Sequence, residues 1–373
     1  MYLEAFTTFF SELTDTRQSA KITYPLEDIL FVTLCGVIAG AEGWSEIRDY
    51  ADGHLDWFQQ HGYLSDGVPV DDTIARTISR IDPEQFRLCF IKWMQAVHEI
   101  TQGQLIAIDG KTLRGSYQRG NRQSTIHMVN AFACKNKLVL GQVKTSEKSN
   151  EITAIPELIK LLGIEGALVS IDAMGCQVNI AEHIVEQGGD YLFTLKSNQG
   201  NLHKAVETAF SETRKAPLGG LSFEQQHGRI EARVYHVLSA KQFKEEFSQW
   251  PQLQTLGMSM SFRQQKGKAP ELMYRYHISS AELTEQQLAE AVRAHWAVEN
   301  SLHWVLDVCM AEDACQIYQD YGAENWAMLR QVALNMLRSE PSKGSIPAKQ
   351  KRAWMKTAYL EAVLNAGFSD MTN

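Results

Sequence analysis

The chain of 373 residues is 44% hydrophobic, enough to bury a large core spread over two or three domains. Its longest apolar run, Ile29 to Ala41, is too short for a membrane span and follows Glu27 and Asp28, and its six cysteines include no C-x-x-C pair, so membrane, signal-peptide, disulfide-framework and cysteine-zinc readings fall away and a cytoplasmic protein is expected. The net charge of −8 is uneven: residues 1–100 hold 7 Lys+Arg against 16 Asp+Glu and the remainder 29 against 28, so a polyanionic partner is disfavoured only for the first part of the chain.

Residues 1–95 read as a small, acidic, all-helical domain. Apolar residues recur at helical spacing from Leu26 to Leu34, from Trp44 to Phe58 and from Glu84 to Val97, the last after an Asp82-Pro83 start signal. Beyond a linker ending at Gly103 the pattern alternates. Leu105 to Asp109 is a buried strand, Ile126 to Cys134 and Lys137 to Thr145 form a hairpin about Lys135-Asn136, Glu151 to Leu162 is a helix, and Ala167 to Asp172 is a second buried strand. Gln177 to Gln187 is a helix stopped by Gly188-Gly189, and Tyr191 to Lys196 is a fifth strand. This β-β-β-α-β-α-β order is that of a ribonuclease-H-like core, in which, by fold analogy, the first and fourth strands lie side by side. A β-rich insertion is expected over about residues 204–279, with strand-like runs Glu231 to Ser239 and Glu271 to Ser279. A helix then starts at Thr284, an N-cap with Gln287 three residues on, and runs through Glu299 to about Val308. A further amphipathic helix, Ala323 to Arg338, closes this α/β domain of residues 101–340. Residues 341–373 read as a basic tail, with Lys343, Lys349, Lys351, Arg352 and Lys356 uninterrupted by a carboxylate.

Three carboxylates stand out against this order. Asp109 and Asp172 each close an apolar strand, 63 positions apart with a crossover helix between them, and ligands gather at the carboxyl ends of strands in open α/β sheets. Glu299 lies in the late helix. Two aspartates leaving adjacent strands and a glutamate from a helix can hold a pair of hard cations that activate the oxygens of an in-line phosphoryl displacement. Asp307, Glu312 and Asp313 are rivals for the third position. Glu299 is preferred because its neighbours Trp296, Val298, Leu302 and Trp304 are apolar or aromatic, where an unpaired carboxylate would be costly. Pairing of Glu299 with Arg293 or His303 is the alternative. His295, Glu299 and His303, spaced i, i+4, i+8, also raise a zinc reading, but they lack the H-E-x-x-H order.

Basic and polar residues surround these positions. Lys111 follows the first strand, and Lys196-Ser197-Asn198 ends the fifth; both are candidates for phosphate contact. His227, Gly228, Arg229 and Arg233, with Glu231, form a compact cluster that could clamp a nucleic-acid backbone or make a plain hairpin turn.

The segments Ala107-Ile108-Asp109-Gly110-Lys111-Thr112-Leu113-Arg114-Gly115-Ser116, Lys148-Ser149-Asn150-Glu151-Ile152 and Ser170-Ile171-Asp172-Ala173-Met174-Gly175-Cys176-Gln177 carry a family resemblance. So do Gly188-Gly189-Asp190-Tyr191, Leu195-Lys196-Ser197-Asn198-Gln199, His227-Gly228-Arg229 and the run from His295 to Trp304. Together they resemble the DDE-type insertion-sequence transposases that include the H-repeat-associated proteins of Rhs elements. The resemblance implies a metal-binding catalytic triad of Asp109, Asp172 and Glu299, two Mg²⁺ ions with Mn²⁺ as substitute, and a ribonuclease-H-like catalytic domain preceded by a helical one. It implies cleavage and strand transfer on double-stranded DNA bearing terminal inverted repeats, and a homo-oligomer that synapses the ends. Lys111, Arg114, Lys196, Asn198, His227, Arg229, Arg233, Arg293 and His303 are the expected DNA-contacting residues. A Tyr, Arg, Glu, Lys signature known from related transposases is absent, since Val292, His295 and Leu306 occupy its other positions, with Arg293 as a partial replacement. Gln316-Ile317-Tyr318 stands where a basic pair is expected after Glu312-Asp313-Ala314. A catalytically inactive DNA-binding relic and a metal-dependent nuclease of the same fold are the alternatives.

Overall fold

Residues with no polar side to present to water must be covered on both faces, and the central strands are of this kind. The computed structural model describes residues 2–99, 102–117, 125–145, 151–215, 224–226, 229–265 and 269–369. Its strands are β1 (Leu105–Thr112), β2 (His127–Ala133), β3 (Leu138–Thr145), β4 (Leu168–Ile171), β5 (Asp190–Leu195), β6 (Glu224–Gln226), β7 (Arg229–Ser239), β8 (Thr255–Gln265) and β9 (Glu271–Ser279). Every residue of β2 and β4 is buried, the pattern of strands sandwiched between helical layers.

All nine strands form one sheet in the order β3-β2-β1-β4-β5-β9-β8-β7-β6. β1, β4 and β5 run parallel, and the other pairings are antiparallel. The parallel register sets Ile108 opposite Ile171, so the next residues, Asp109 within β1 and Asp172 just past β4, fall side by side. Helices Glu151–Leu162 and Val178–Glu186 supply the crossovers that parallel neighbours require. The first and fourth strands are therefore neighbours, as the fold analogy leads one to expect.

The region read as an insertion continues this sheet. β9 pairs with β5, and β7 and β8 extend outward from it. β8 was not anticipated, nor were the helices Gly200–Ala209 and Ser211–Lys215. The helix Glu285–Val298 begins at the expected Thr284–Gln287 capping box and packs across β1, β4 and β7.

The N-terminal stretch folds as the helices Tyr2–Phe10, Leu26–Ala39, Trp44–Gly53, Leu55–Gln60, Asp71–Ile78 and Pro83–Val97. Asp82 caps the last of these by accepting from the Glu84 and Gln85 amides, with Pro83 pre-set for the first turn. In Leu26–Ala39 every residue from Ile29 onward is buried, which marks a helix surrounded by others. Its main partner is Gly322–Ser339, whose polar groups tie the parts together: Asn325 donates to the Ile78 and Ile81 carbonyls (2.8 and 2.9 Å), Gln331 to Asn130 on β2 (2.7 Å) and Asn335 to the Val139 carbonyl on β3 (2.8 Å). One apolar core consequently runs from the N-terminal helices into the sheet. The segment read as a basic tail contains two helices, Ile346–Met355 and Thr357–Phe368, packed on the same hub, and Lys349 is buried with its ammonium on Glu340 and the Leu337 carbonyl. Its apolar residues Ala353, Leu360, Val363 and Leu364 explain why: they are core residues, spaced for a helix. Among the described residues no helix is long and apolar enough to cross a membrane.

Candidate active site

Beside the middle of β1, which runs on past Asp109 to Thr112, and just beyond the end of β4, a cavity of about 210 Å³ is lined by Asp109, Asp172 and Glu299, together with Glu151 and His295. The backbone aims the aspartates. Asp109 accepts a hydrogen bond from the Gly110 amide (2.9 Å), and Asp172 accepts from the Met174 and Gly175 amides (2.9 and 3.4 Å). Burial pushes the Asp109 carboxyl up to about 7 against the pull of the Gly110 amide, and the negative charges of Glu299, Asp172 and Glu151 push the same way. Carboxylates crowded in this manner are a poor arrangement for an empty cavity and a good one for a cation. The oxygens are hard donors of the kind Mg²⁺ or Mn²⁺ takes, so the residues present fit a divalent ion.

Glu299 reaches the cavity by a different route from the one its neighbours suggested. Its side chain is 62% exposed, and Trp296 and Trp304 are also open to solvent, so burial among aromatics does not single it out. Its rivals are accounted for elsewhere: Lys111, itself buried, places its ammonium between Asp307 and Glu312, and Asp313 lies 3.4 Å from Arg114. The helix carrying Glu299 changes there to a π-turn, Glu299–His303, before resuming as Trp304–Cys309, a distortion that often marks functional sites. Within it His303 sets Nδ1 3.6 Å from Glu299 Oε2 and 3.8 Å from Asp109 Oδ2. Donor atoms of Asp109, Glu299 and His303 all lie within 4.8 Å of one another. His295 instead pairs with Ser170 (3.0 Å), so the His-Glu-His zinc ladder does not form. Burial holds both imidazoles below the ordinary histidine range.

The residues expected to contact DNA fall into distinct settings. Lys111 and His303 are buried, the first in internal ion pairs and the second beside the carboxylates, so neither side chain is turned to solvent. Arg114 is exposed, 3.4 Å from Asp313. Gly115 packs so closely on the Cys315 carbonyl that a Cβ would overlap it, and the run Lys111 to Gly115 is thereby docked against Glu312 to Cys315. Lys196 is exposed, whereas Asn198 donates to the Ala173 carbonyl (2.7 Å) and Gln199 to the Cys176 carbonyl (2.8 Å), bracing the loop that follows Asp172. His227 lies outside the described residues, and Arg229 is described only as the backbone start of β7.

Arg233 and Arg293 meet in a groove of about 560 Å³ that also contains Arg263, Arg275, Trp296 and Glu299. The Arg275 guanidinium stands 5.5 Å from the centre of the Trp296 ring. Glu231 pairs with Arg233 (2.9 Å) and approaches Arg263 (3.7 Å). Arg263 and Arg275 escaped the sequence reading because their role depends on register: Arg263 sits opposite Glu231, and Arg275 opposite Ser259. Period-two alternation along β7, β8 and β9 was the available signal. Glu151 was missed for another reason, since an acid in the first turn of a helix reads as an ordinary dipole partner.

Comparison with known proteins adds an independent line. A family model described as transposase DDE domain matches residues 100–336, and one described as DDE_Tnp_1-associated matches residues 7–94. The chain is 46% identical over 372 residues to YncI of Escherichia coli O157:H7, a provisionally named transposase, covering 98% of this chain and 95% of that protein. It is 45% identical to YhhI of Escherichia coli K12, provisionally named an H repeat-associated transposase, with 98% of each chain covered. A solved piggyBac transposase synaptic complex with hairpin DNA has a TM-score of 0.46 and 14% identity over 96% of this chain and 81% of that one, a likeness too slight to argue from.

Proposed function

This chain belongs to the DDE transposases, and from that premise we propose that Asp109, Asp172 and Glu299 are its metal-binding triad for DNA cleavage and strand transfer. The observation that carries this reading is the shared cavity: three carboxylates from β1, the end of β4 and a late helix line one space, beside a groove with four arginines. We read β1 to β5 with the crossing helix as a ribonuclease-H-like core, residues 204–279 as its insertion, residues 1–95 as a helical associated domain and residues 341–373 as a C-terminal element. Two Mg²⁺ ions, or Mn²⁺ in their place, would supply the charge that activates an attacking oxygen and offsets a leaving one.

The protein's own residues prepare that chemistry. The Gly110, Met174 and Gly175 amides fix the orientations of the two aspartates, so these need not be reorganised when substrate arrives. Arg233, Arg263, Arg275 and Arg293 are suited to grip phosphates next to Glu299, and the exposed face of Trp296 offers a flat apolar surface. The partner is double-stranded DNA carrying the element's inverted repeats, with a homo-oligomer bringing two ends together. Asp172→Ala should abolish Mg²⁺-dependent cleavage of element-end DNA while the melting temperature stays near that of the parent; undiminished cleavage would sink the triad assignment. Joined products, as opposed to hydrolysed ends alone, separate transposition from nuclease action.

A further inference from the structure

We propose that Glu151 is a fourth carboxylate of the cation site, presented across the gap that Gly110 leaves in β1 and oriented by His127. The inference rests on the triad reading and extends it to a residue outside the triad.

Glu151 opens the helix Glu151–Leu162 and is 7% exposed, yet it faces the cavity that contains Asp109, Asp172 and Glu299. Its negative charge is felt at Asp109. A buried carboxylate needs a partner, and His127 supplies one: its Nε2 is hydrogen-bonded to Glu151 Oε1, and its Nδ1 to the Thr112 hydroxyl at 2.9 Å. That chain from Thr112 through His127 fixes the carboxylate's orientation. Such outer support of a ligating group is the usual construction of metal sites.

The backbone is shaped to permit this pair. A Cβ on Gly110 would collide with both Glu151 Oε1 and His127 Nε2, so the residue directly after Asp109 has no side chain and the pair lies over the strand. A neighbouring imidazole, whose donor atom lies within 4.8 Å of those of Asp109 and Glu299, points to a ligand independently. His303 is 6% exposed, its Nε2 has no hydrogen-bond partner, and its Nδ1 faces Asp109 and Glu299. Four carboxylates around one small space, with an imidazole nitrogen close to two of them, suit divalent cations with oxygen-rich coordination.

The test is Mn²⁺ binding by the full chain without DNA, followed by electron paramagnetic resonance and calorimetry. Glu151→Gln, with its fold verified by thermal melting, should weaken Mn²⁺ binding about 10- to 100-fold or remove one bound ion, and His127→Gln should shift it in the same direction. If Glu151→Gln does not fold, Glu151→Asp, which withdraws the carboxylate by one methylene, takes its place with the same expectation. Wild-type Mn²⁺ binding by the Glu151 variant, alongside impaired binding by Asp109→Asn and Asp172→Asn, overturns the proposal and leaves the triad standing. Wild-type binding by all of them overturns the triad reading as well.

Discussion

One methyl group at position 110 would displace two side chains from the site. Gly110→Ala should cost about 1–3 kcal/mol of stability by overpacking, measured by denaturant unfolding, and should weaken Mn²⁺ binding along with it. An unchanged unfolding midpoint would mean that the Glu151–His127 pair does not lie over β1. In the groove, Arg275→Ala should weaken binding to DNA of any sequence and lower the slope of log affinity against log salt by roughly one, as loss of one phosphate contact requires. Residues were legible in the sequence where chemistry coincided with a local pattern. Asp109 and Asp172 end apolar runs, and a parallel register then brings them level. Glu151, Arg263 and Arg275 were not legible, because their significance is created by a crossing strand or a missing Cβ, neither of which is a local property.

At the level of elements, buried strands and capped helices were the clear cases, since apolar runs and the capping residues Asp82 and Thr284 carry their own signals. The C-terminal helices were obscured by their lysines, which conceal an apolar face at helical spacing. Their attachment has a test. Burial alone would raise the Glu340 carboxyl, but hydrogen bonds from Ser342, Tyr359 and Lys349 outweigh it and hold the group at about 2, below its ordinary 4.5. The proton therefore binds the unfolded chain more tightly than the folded one. The stabilisation is present in full above about 4.5 and is lost as pH falls toward 2. Glu340→Gln should destabilise the neutral protein by about 3–5 kcal/mol, because Lys349 keeps its buried charge. Thermal melts of the two proteins should converge as the pH is lowered through that window, and a constant gap would rule out Glu340 as its source.

Across the whole molecule, the acidic N-terminal helices and the sheet share one core through Gly322–Ser339, although sequence composition divides them sharply. A fragment beginning at residue 100 would bare the side of that helix covered by Leu26–Ala39, and calorimetry should find no cooperative melt for it. A sharp transition near the parent temperature would instead make the helical unit dispensable. The π-turn at Glu299–His303 has a consequence on the same scale, because it joins a helix facing the groove to one pinned at Asp307 by Lys111. Rewinding those same residues as α-helix, with none deleted, would at about 100° per residue swing Arg293, Trp296 and Glu299 around the axis relative to that anchor. The extra residue thus acts as an angular offset, letting one continuous rod point its arginine side and its buried side in directions that an unbroken α-helix could not reconcile.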